Sequence, residues 1–203
     1  MTDHILDMPV SEAQVRALHV GDSAVLEGTL YGIRDATLIA LFDRGRTTRF
    51  DLAGHALLHT APNVRKVEVS TEHPAGYAPL CIGTTTSQRL ERFTRVLMQR
   101  YGARVIIGKG GMGPDTLQAF RDLGGAYLAV VGGAAALETT WIDGIEDVDL
   151  DDLHPESLWR FRIRNFGPLM VAMDSHGGSL YARVQDGAAA RRAAVLASLD
   201  ASE

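Results

Sequence analysis

Residues 103–135 read ARVIIGKGGMGPDTLQAFRDLGGAYLAVVGGAA, and the order of elements in this stretch decides the fold. ARVIIG (103–108) is a short apolar run, of strand length, rich in β-branched residues. DTLQAFRDLG (115–124) has helical spacing and ends on a glycine, the usual stop signal. AYLAVVGGAA (126–135) reads as a second buried strand running into a glycine turn. Just upstream, TTTSQRLERFTRVLMQRYG (84–102) places Leu90, Phe93, Val96, Leu97 and Tyr101 at helical spacing, with Gly102 as the stop. Helix, strand, helix, strand with short connections predicts a parallel βαβ unit with a right-handed crossover.

Working outward, the first third is strand-rich. Ser11 is a plausible N-cap for EAQVRALH, and SAVLEGTLYGI (23–33) reads as a strand. Asp35 can cap a short amphipathic helix, ATLIALFDRG. HALLHTA (55–61) and KVEVS (66–70) alternate in strand fashion. The last third returns to strands. SLWRFRIRNF, PLMVAMD and GSLYARV are separated by turn signals at Gly167–Pro168 and Gly177–Gly178, and AAARRAAVLASL closes the chain as a helix. No Pro/Ser linker divides the sequence. The expectation is one mixed α/β domain over residues 1–203, with a partly parallel central sheet and flanking helices.

The bulk properties exclude several function classes. The formal net charge of -5 over 203 residues gives no electrostatic case for a nucleic-acid partner. No run reaches the roughly 18 apolar residues needed to span a bilayer. The opening MTDHILDMPVSEAQ is acidic and lacks a basic region followed by an apolar stretch, so it does not read as a secretory signal, and a cytoplasmic location is expected. Cys81 is the only cysteine, which rules out an internal disulfide and any all-cysteine metal site. Its setting, APLCIGTTT, predicts a buried thiol acting as a small hydrophobe. No metal site is expected from the histidines either. His55 and His59 lie four apart, but on a strand that separates them by about 13 Å. Asp174-Ser175-His176 lacks the nucleophile elbow of a hydrolase, and EDVDLDD (146–152) reads as a solvated loop.

Three polar clusters sit at element junctions, where backbone amides are free. In the first, Gly83-Thr84-Thr85-Thr86-Ser87-Gln88-Arg89, hydroxyls at the start of a helix would meet an anion beside the fork of Arg89. The same residues would also serve as an ordinary N-cap with a surface arginine. In the second, Gly108-Lys109-Gly110-Gly111-Met112-Gly113-Pro114, a buried strand ends in a glycine-rich loop carrying one lysine. Glycines admit a ligand to the backbone and the lysine supplies a point charge, but the phosphate-binding and dinucleotide-binding glycine orders are both absent. A lysine inside a loop of four glycines points to function rather than to a turn alone. The third, Tyr31-Gly32-Ile33-Arg34-Asp35, is either a ligand-facing arginine or a local salt bridge.

These clusters together resemble the beta subunits of class I, iron–sulfur-dependent fumarases and L(+)-tartrate dehydratases. The resemblance runs from VGDSAVLEGTLYGIRDA through DLAGHALLHTAPNVRK, IGTTTSQRLERF and VIIGKGGMGPDT to ESLWRFRIRNFGPLMVAMDSHGGSLY. IGKGGMGP is its most specific string, and the tail is closer to the tartrate dehydratase form. The resemblance implies a swivelling β/β/α domain. It also implies a separate alpha subunit that carries the cysteines of a four-iron–four-sulfur cluster, in a homodimer or heterotetramer. Carried over by position, Arg34, Arg89 and Lys109 are the carboxylate-binding cations, joined in substrate binding by Thr86 and Gly110. Thr85 is the catalytic hydroxyl, with Lys109 beside it, and His59 occupies a polar position of its strand. The implied reaction is reversible dehydration of a 2-hydroxydicarboxylate such as tartrate or malate.

The sequence departs from the family pattern in places. Thr37-Leu38-Ile39-Ala40-Leu41 stands where a histidine and a basic residue are usual, Ala61-Pro62 replaces Gly-Pro, and Thr84 replaces a proline. The lost basic residues motivate a second reading, a non-catalytic paralogue that binds a dicarboxylate or helps assemble the partner.

Overall fold

A computed structural model of the chain describes residues 1–131, 133 and 135–200. The chain opens with β1 (Asp3–Asp7) and the one-turn helix α1 (Glu12–Arg16). Ser11 caps α1 as expected: its hydroxyl accepts from the Gln14 N–H, and the Gln14 side chain accepts from the Ser11 N–H. β2 (Ser23–Ile33), α2 (Asp35–Phe42), β3 (Ala56–His59) and a hairpin of β4 (Asn63–Lys66) and β5 (Tyr77–Cys81) follow. The central unit is α3 (Glu91–Tyr101), β6 (Val105–Gly108), α4 (Pro114–Leu123) and β7 (Ala126–Ala129). The chain ends with α5 (Ala135–Thr140), β8 (Ile142–Asp149), β9 (Leu158–Met173) and α6 (Leu180–Asp200).

Seven strands form one sheet in the order β1-β2-β3-β6-β7-β9-β8. β1, β2, β3, β6 and β7 run parallel, so the βαβ unit expected from residues 103–129 is present. β9 runs antiparallel. Its first part pairs with both β8 and β2, and its end pairs with β7, which curls the sheet into a partial barrel. The period-two alternation of a strand buried on both faces builds two apolar layers. On β6, Val105 and Ile107 join one layer with Leu30, Leu58, Phe161 and Val171. Ile106 joins the other, with Ile33, Leu38, Phe93, Phe120 and Tyr127, where α2, α3 and α4 cover the sheet. Each such fully buried side chain contributes roughly 1.5–3 kcal/mol from the area it removes from water.

The structure corrects several expectations. SLWRFRIRNF and PLMVAMD are one strand, because β9 continues through Gly167 and Pro168 instead of turning. GSLYARV is not a strand: from Leu180 it is the first part of α6, which absorbs AAARRAAVLASL as well. The acidic run 146–152 is not a loop throughout, because its first residues lie in β8, where the arginines of β9 and Arg49 pair with Glu146 and Asp147. Of KVEVS only Lys66 lies in a strand. α2 is buried at Thr37, Leu38, Ala40 and Leu41, so it lacks a polar stripe and is not amphipathic. Cys81 is exposed at the end of β5, beside the half-exposed Leu80, because this end of the hairpin leaves the core. The glycine turn expected after β7 includes Gly132 and Ala134, which lie outside the described residues.

Candidate active site

Three adjacent parallel strands end side by side. β2 ends at Ile33, β3 at His59 and β6 at Gly108. The next residue of each, Arg34, Thr60 and Lys109, therefore stands on the carboxyl rim of the sheet, where α/β proteins form their ligand crevices. The segment Thr84–Ser87 is laced across this rim. Thr84 bridges Thr60, the Thr85 N–H donates to the His59 carbonyl at 2.7 Å, Thr86 bridges Lys109, and the Ser87 N–H donates to the Lys109 carbonyl at 2.9 Å. These bonds replace the role expected of the threonines as caps of α3. The helix proper begins at Glu91 after a 3-10 turn over Gln88–Leu90, and no side chain caps it. The anion site inferred from a capped α3 N-terminus is thus not built that way. The hydroxyls are held by strand ends.

Arg89 reaches back from that 3-10 turn. Its Nε and Nη2 donate to Asp35 Oδ1 and Oδ2, both at 2.9 Å, and Nη2 also donates to Thr85 Oγ1 at 2.8 Å. Arg34 Nε lies 3.3 Å from Asp35 Oδ2 and 3.3 Å from Glu156 Oε1. Asp35 is therefore the hub of the cluster, and the local salt bridge considered for Arg34 exists but is shared. The Arg89 guanidinium holds the Asp35 carboxyl below its ordinary range despite partial burial. Asp35 is not the cap of α2 but its first residue. Glu156 performs the capping from a distance, its Oε2 accepting from the Ala36 N–H at 2.7 Å.

Lys109 follows the strand end and is half-buried. Among the described residues it makes no ion pair, so of the three candidate cations its ammonium is the unengaged one. Gly110 takes a left-handed backbone, φ +79°, and a Cβ there would stand 3.0 Å from Thr86 Cγ2, so the loop needs glycine on both counts. Glu138 of α5 closes the floor. It is 1 % exposed, its Oε1 lies 3.5 Å from Thr84 Oγ1, and its Oε2 is buried with no hydrogen-bond partner among the described residues. Burial pushes its carboxyl up to about 7, against the pull of the Thr84 contacts and the nearby Lys109 charge.

The structure thus brings Arg34 and Arg89 onto one carboxylate with Thr85 bonded to Arg89, and sets Thr86, Lys109 and Gly110 on the adjoining part of the same rim. His55 and His59 have different partners: His55 packs edge-on to Tyr31, and His59 bonds Ser87. Four members escaped the sequence reading. Glu156 was visible only as part of the string ESLW, and Glu138 sits in a segment with no motif. Ser87 looked like a helix cap and Tyr127 like core. Nothing local marks Glu156, Glu138 or Tyr127, because each reaches the site from a remote part of the chain, and the role of Ser87 depends on His59 and Tyr127, 28 and 40 positions away. The residues present do not fit an iron–sulfur cluster: the single cysteine is exposed on β5, and among the described residues no group of three His, Cys, Asp or Glu could hold a metal.

A family model for the fumarase C-terminus matches residues 2–184. The L(+)-tartrate dehydratase subunit beta of Escherichia coli (strain K12) is 36% identical over 179 residues, spanning 88% of this chain and 86% of that one. The putative L(+)-tartrate dehydratase subunit beta of Methanocaldococcus jannaschii is 36% identical over 180 residues, 86% of this chain and 89% of that one. The putative fumarate hydratase class I of Geobacillus stearothermophilus is 38% identical over 181 residues, which are 89% of this chain but 34% of that longer protein.

Proposed function

The chain belongs to the fumarase C-terminus family, and from that membership we propose that it is the beta subunit of a heteromeric hydro-lyase that reversibly dehydrates a 2-hydroxydicarboxylate of tartrate or malate type. The observation that carries the reading is a hydroxyl within 2.8 Å of a guanidinium, Thr85 against Arg89, on the carboxyl rim of a parallel sheet. The relatives named as L(+)-tartrate dehydratase beta subunits match over most of their length and of this chain.

In the dehydrating direction a proton leaves one carbon and hydroxide leaves its neighbour. Thr85 is the acceptor of that proton. A threonine hydroxyl is a poor base in water and needs adjacent positive charge to hold its alkoxide. Arg89 supplies that charge directly, with Lys109 on the neighbouring strand end. Two Arg89 N–H groups go to Asp35 and one to Thr85, which leaves the Nη1 side of the fork for a substrate carboxylate. Lys109, which makes no ion pair among the described residues, takes the other carboxylate, with Arg34 offsetting the Asp35 and Glu156 carboxylates and Thr86 and Gly110 shaping the approach. The cluster belongs to the alpha subunit, and this chain's part is to bind and orient the dianion and to hold the proton.

The test is anaerobic reconstitution with the matching alpha chain and assay of malate, fumarate and both tartrates. Arg89→Ala and Lys109→Ala should each lower turnover by about 10²-fold or more, since each neutralises charge in a closed site, while the melting temperature holds. Kinetics unchanged in either variant would sink the assignment.

The second reading, a non-catalytic dicarboxylate-binding or assembly module, is favoured by one observation: the fork of Arg89 is occupied by Asp35. A colourless homodimer that binds dicarboxylates yet never recruits a cysteine-bearing chain would support it over the first.

A further inference from the structure

Beneath Thr85 lies a buried polar chain that the reaction as described does not use. His59, Ser87 and Tyr127 are 2 %, 0 % and 0 % exposed. His59 Nδ1 lies 2.9 Å from Ser87 Oγ, and the Tyr127 hydroxyl lies 3.1 Å from the same oxygen. Space for this junction is made by Gly108, where a Cβ would fall 1.9 Å from Ser87 Oγ and 3.1 Å from Tyr127 Oη. The Tyr127 hydroxyl donates to Ser87 Oγ, and the Gly111 N–H and the Tyr181 hydroxyl also meet the Tyr127 oxygen. With the tyrosine hydrogen on Ser87, the one hydrogen of Ser87 itself is directed to His59. A ring nitrogen that accepts carries no proton, so the proton of His59 sits on Nε2.

His59 also grips the reactive segment from its backbone, because its carbonyl accepts from the Thr85 N–H at 2.7 Å. One residue therefore holds Thr85 directly and, through its ring, holds Ser87 two residues on. We propose that His59, kept as the neutral Nε2–H tautomer by the Tyr127–Ser87 relay, is the positioning residue for the Thr85 hydroxyl. This rests on the reading of Thr85 as the reactive group. The charged groups facing the ring are Asp35 and Arg89, an ion pair whose opposite charges largely offset each other at His59, while burial keeps the ring neutral down to about pH 4. A protonated ring would donate from Nδ1 and reverse the bond to Ser87.

The experiment has a spectroscopic and a kinetic arm. Long-range ¹H–¹⁵N correlation on the full chain should show His59 protonated at Nε2 and bare at Nδ1, with Ser87→Ala and Tyr127→Phe each mixing the two tautomers. A proton on Nδ1 in the wild-type chain overturns the relay. In the complex with the alpha chain, His59→Leu should lower kcat by about tenfold or more with KM changed less than about threefold, the mark of a misplaced reactive group. His59→Asn, whose side-chain oxygen stands near the place of Nδ1, should recover a large part of kcat. Wild-type kcat in His59→Leu overturns the positioning role. If instead Thr85→Ala turns over like the wild type, the functional reading itself has failed, and the tautomer spectrum tests the relay independently of that outcome.

Discussion

Arg89 and Asp35 form a two-point ion pair, both N–O distances 2.9 Å, and the same guanidinium edge holds Thr85 Oγ1 at 2.8 Å. The aspartate therefore acts as the aiming device of the arginine. A long side chain that is 43% exposed would otherwise sample several rotamers, and two parallel bonds fix the plane of its fork.

Asp35→Asn removes that charge and leaves only one acceptor oxygen for the fork. Steady-state kinetics of the reconstituted complex should show kcat/KM down by about tenfold, roughly 1.4 kcal/mol, as Arg89 loses its orientation. Restored activity is not expected from added salt or substrate, since the loss is geometric. A gain in affinity for the dicarboxylate would mean that Asp35 competes with substrate instead of aiming its partner.

Glu138 predicts a stability that falls as pH rises. Its folded pKa of about 7 lies above the ordinary 4.5, so the folded chain keeps the proton longer than the unfolded one. Its neutral form is compatible with an Oε2 that is buried and has no partner among the described residues, and the stability associated with it is present below pH 4.5 and lost through pH 7. Glu138→Gln should therefore gain on the wild type by about 1–3 kcal/mol between pH 4.5 and pH 8 in urea unfolding. A constant difference across that range would contradict it.

His59 gives the opposite slope. Burial lowers its ring from 6.5 to about 4, so the unfolded chain takes up the proton first, and stability is full above pH 6.5 and declines toward pH 4. Between pH 7.5 and pH 5 this residue should account for about 2 kcal/mol of acid destabilisation. His59→Asn should flatten the acid limb by that amount, read from denaturant midpoints at the two pH values.

Gly108→Ala should be severely destabilising. The added methyl carbon would stand 1.9 Å from Ser87 Oγ on a fully buried strand end, and overpacking of this kind costs about 1–3 kcal/mol or more. In the Gly108→Ala/Ser87→Gly double variant the obstructing side chain is gone, so the two effects should fall short of additivity by more than about 0.5 kcal/mol. Full additivity in thermal or urea unfolding would show that the clash is not the cause.

The sequence by itself determined the parallel βαβ centre, because the apolar runs within 103–108 and 126–135 are too short for helices and the helices before and between them stop on glycines. It also marked Arg34, Thr85, Arg89 and Lys109, because a cation or hydroxyl beside glycines at an element junction is a local signal. Only the tertiary structure decided what those residues touch. The shared Asp35, the distant cap from Glu156, the acid on α5 and the Tyr127–Ser87–His59 chain all join residues 28 to 120 positions apart. The extent of β9 and the helix at Leu180 were likewise settled by pairing partners that no local window contains. Hydrophobic period and turn chemistry act over a few residues and can be read along the chain. Electrostatic pairing and buried hydrogen bonds act across space, and exist only once the sheet has brought its strand ends side by side.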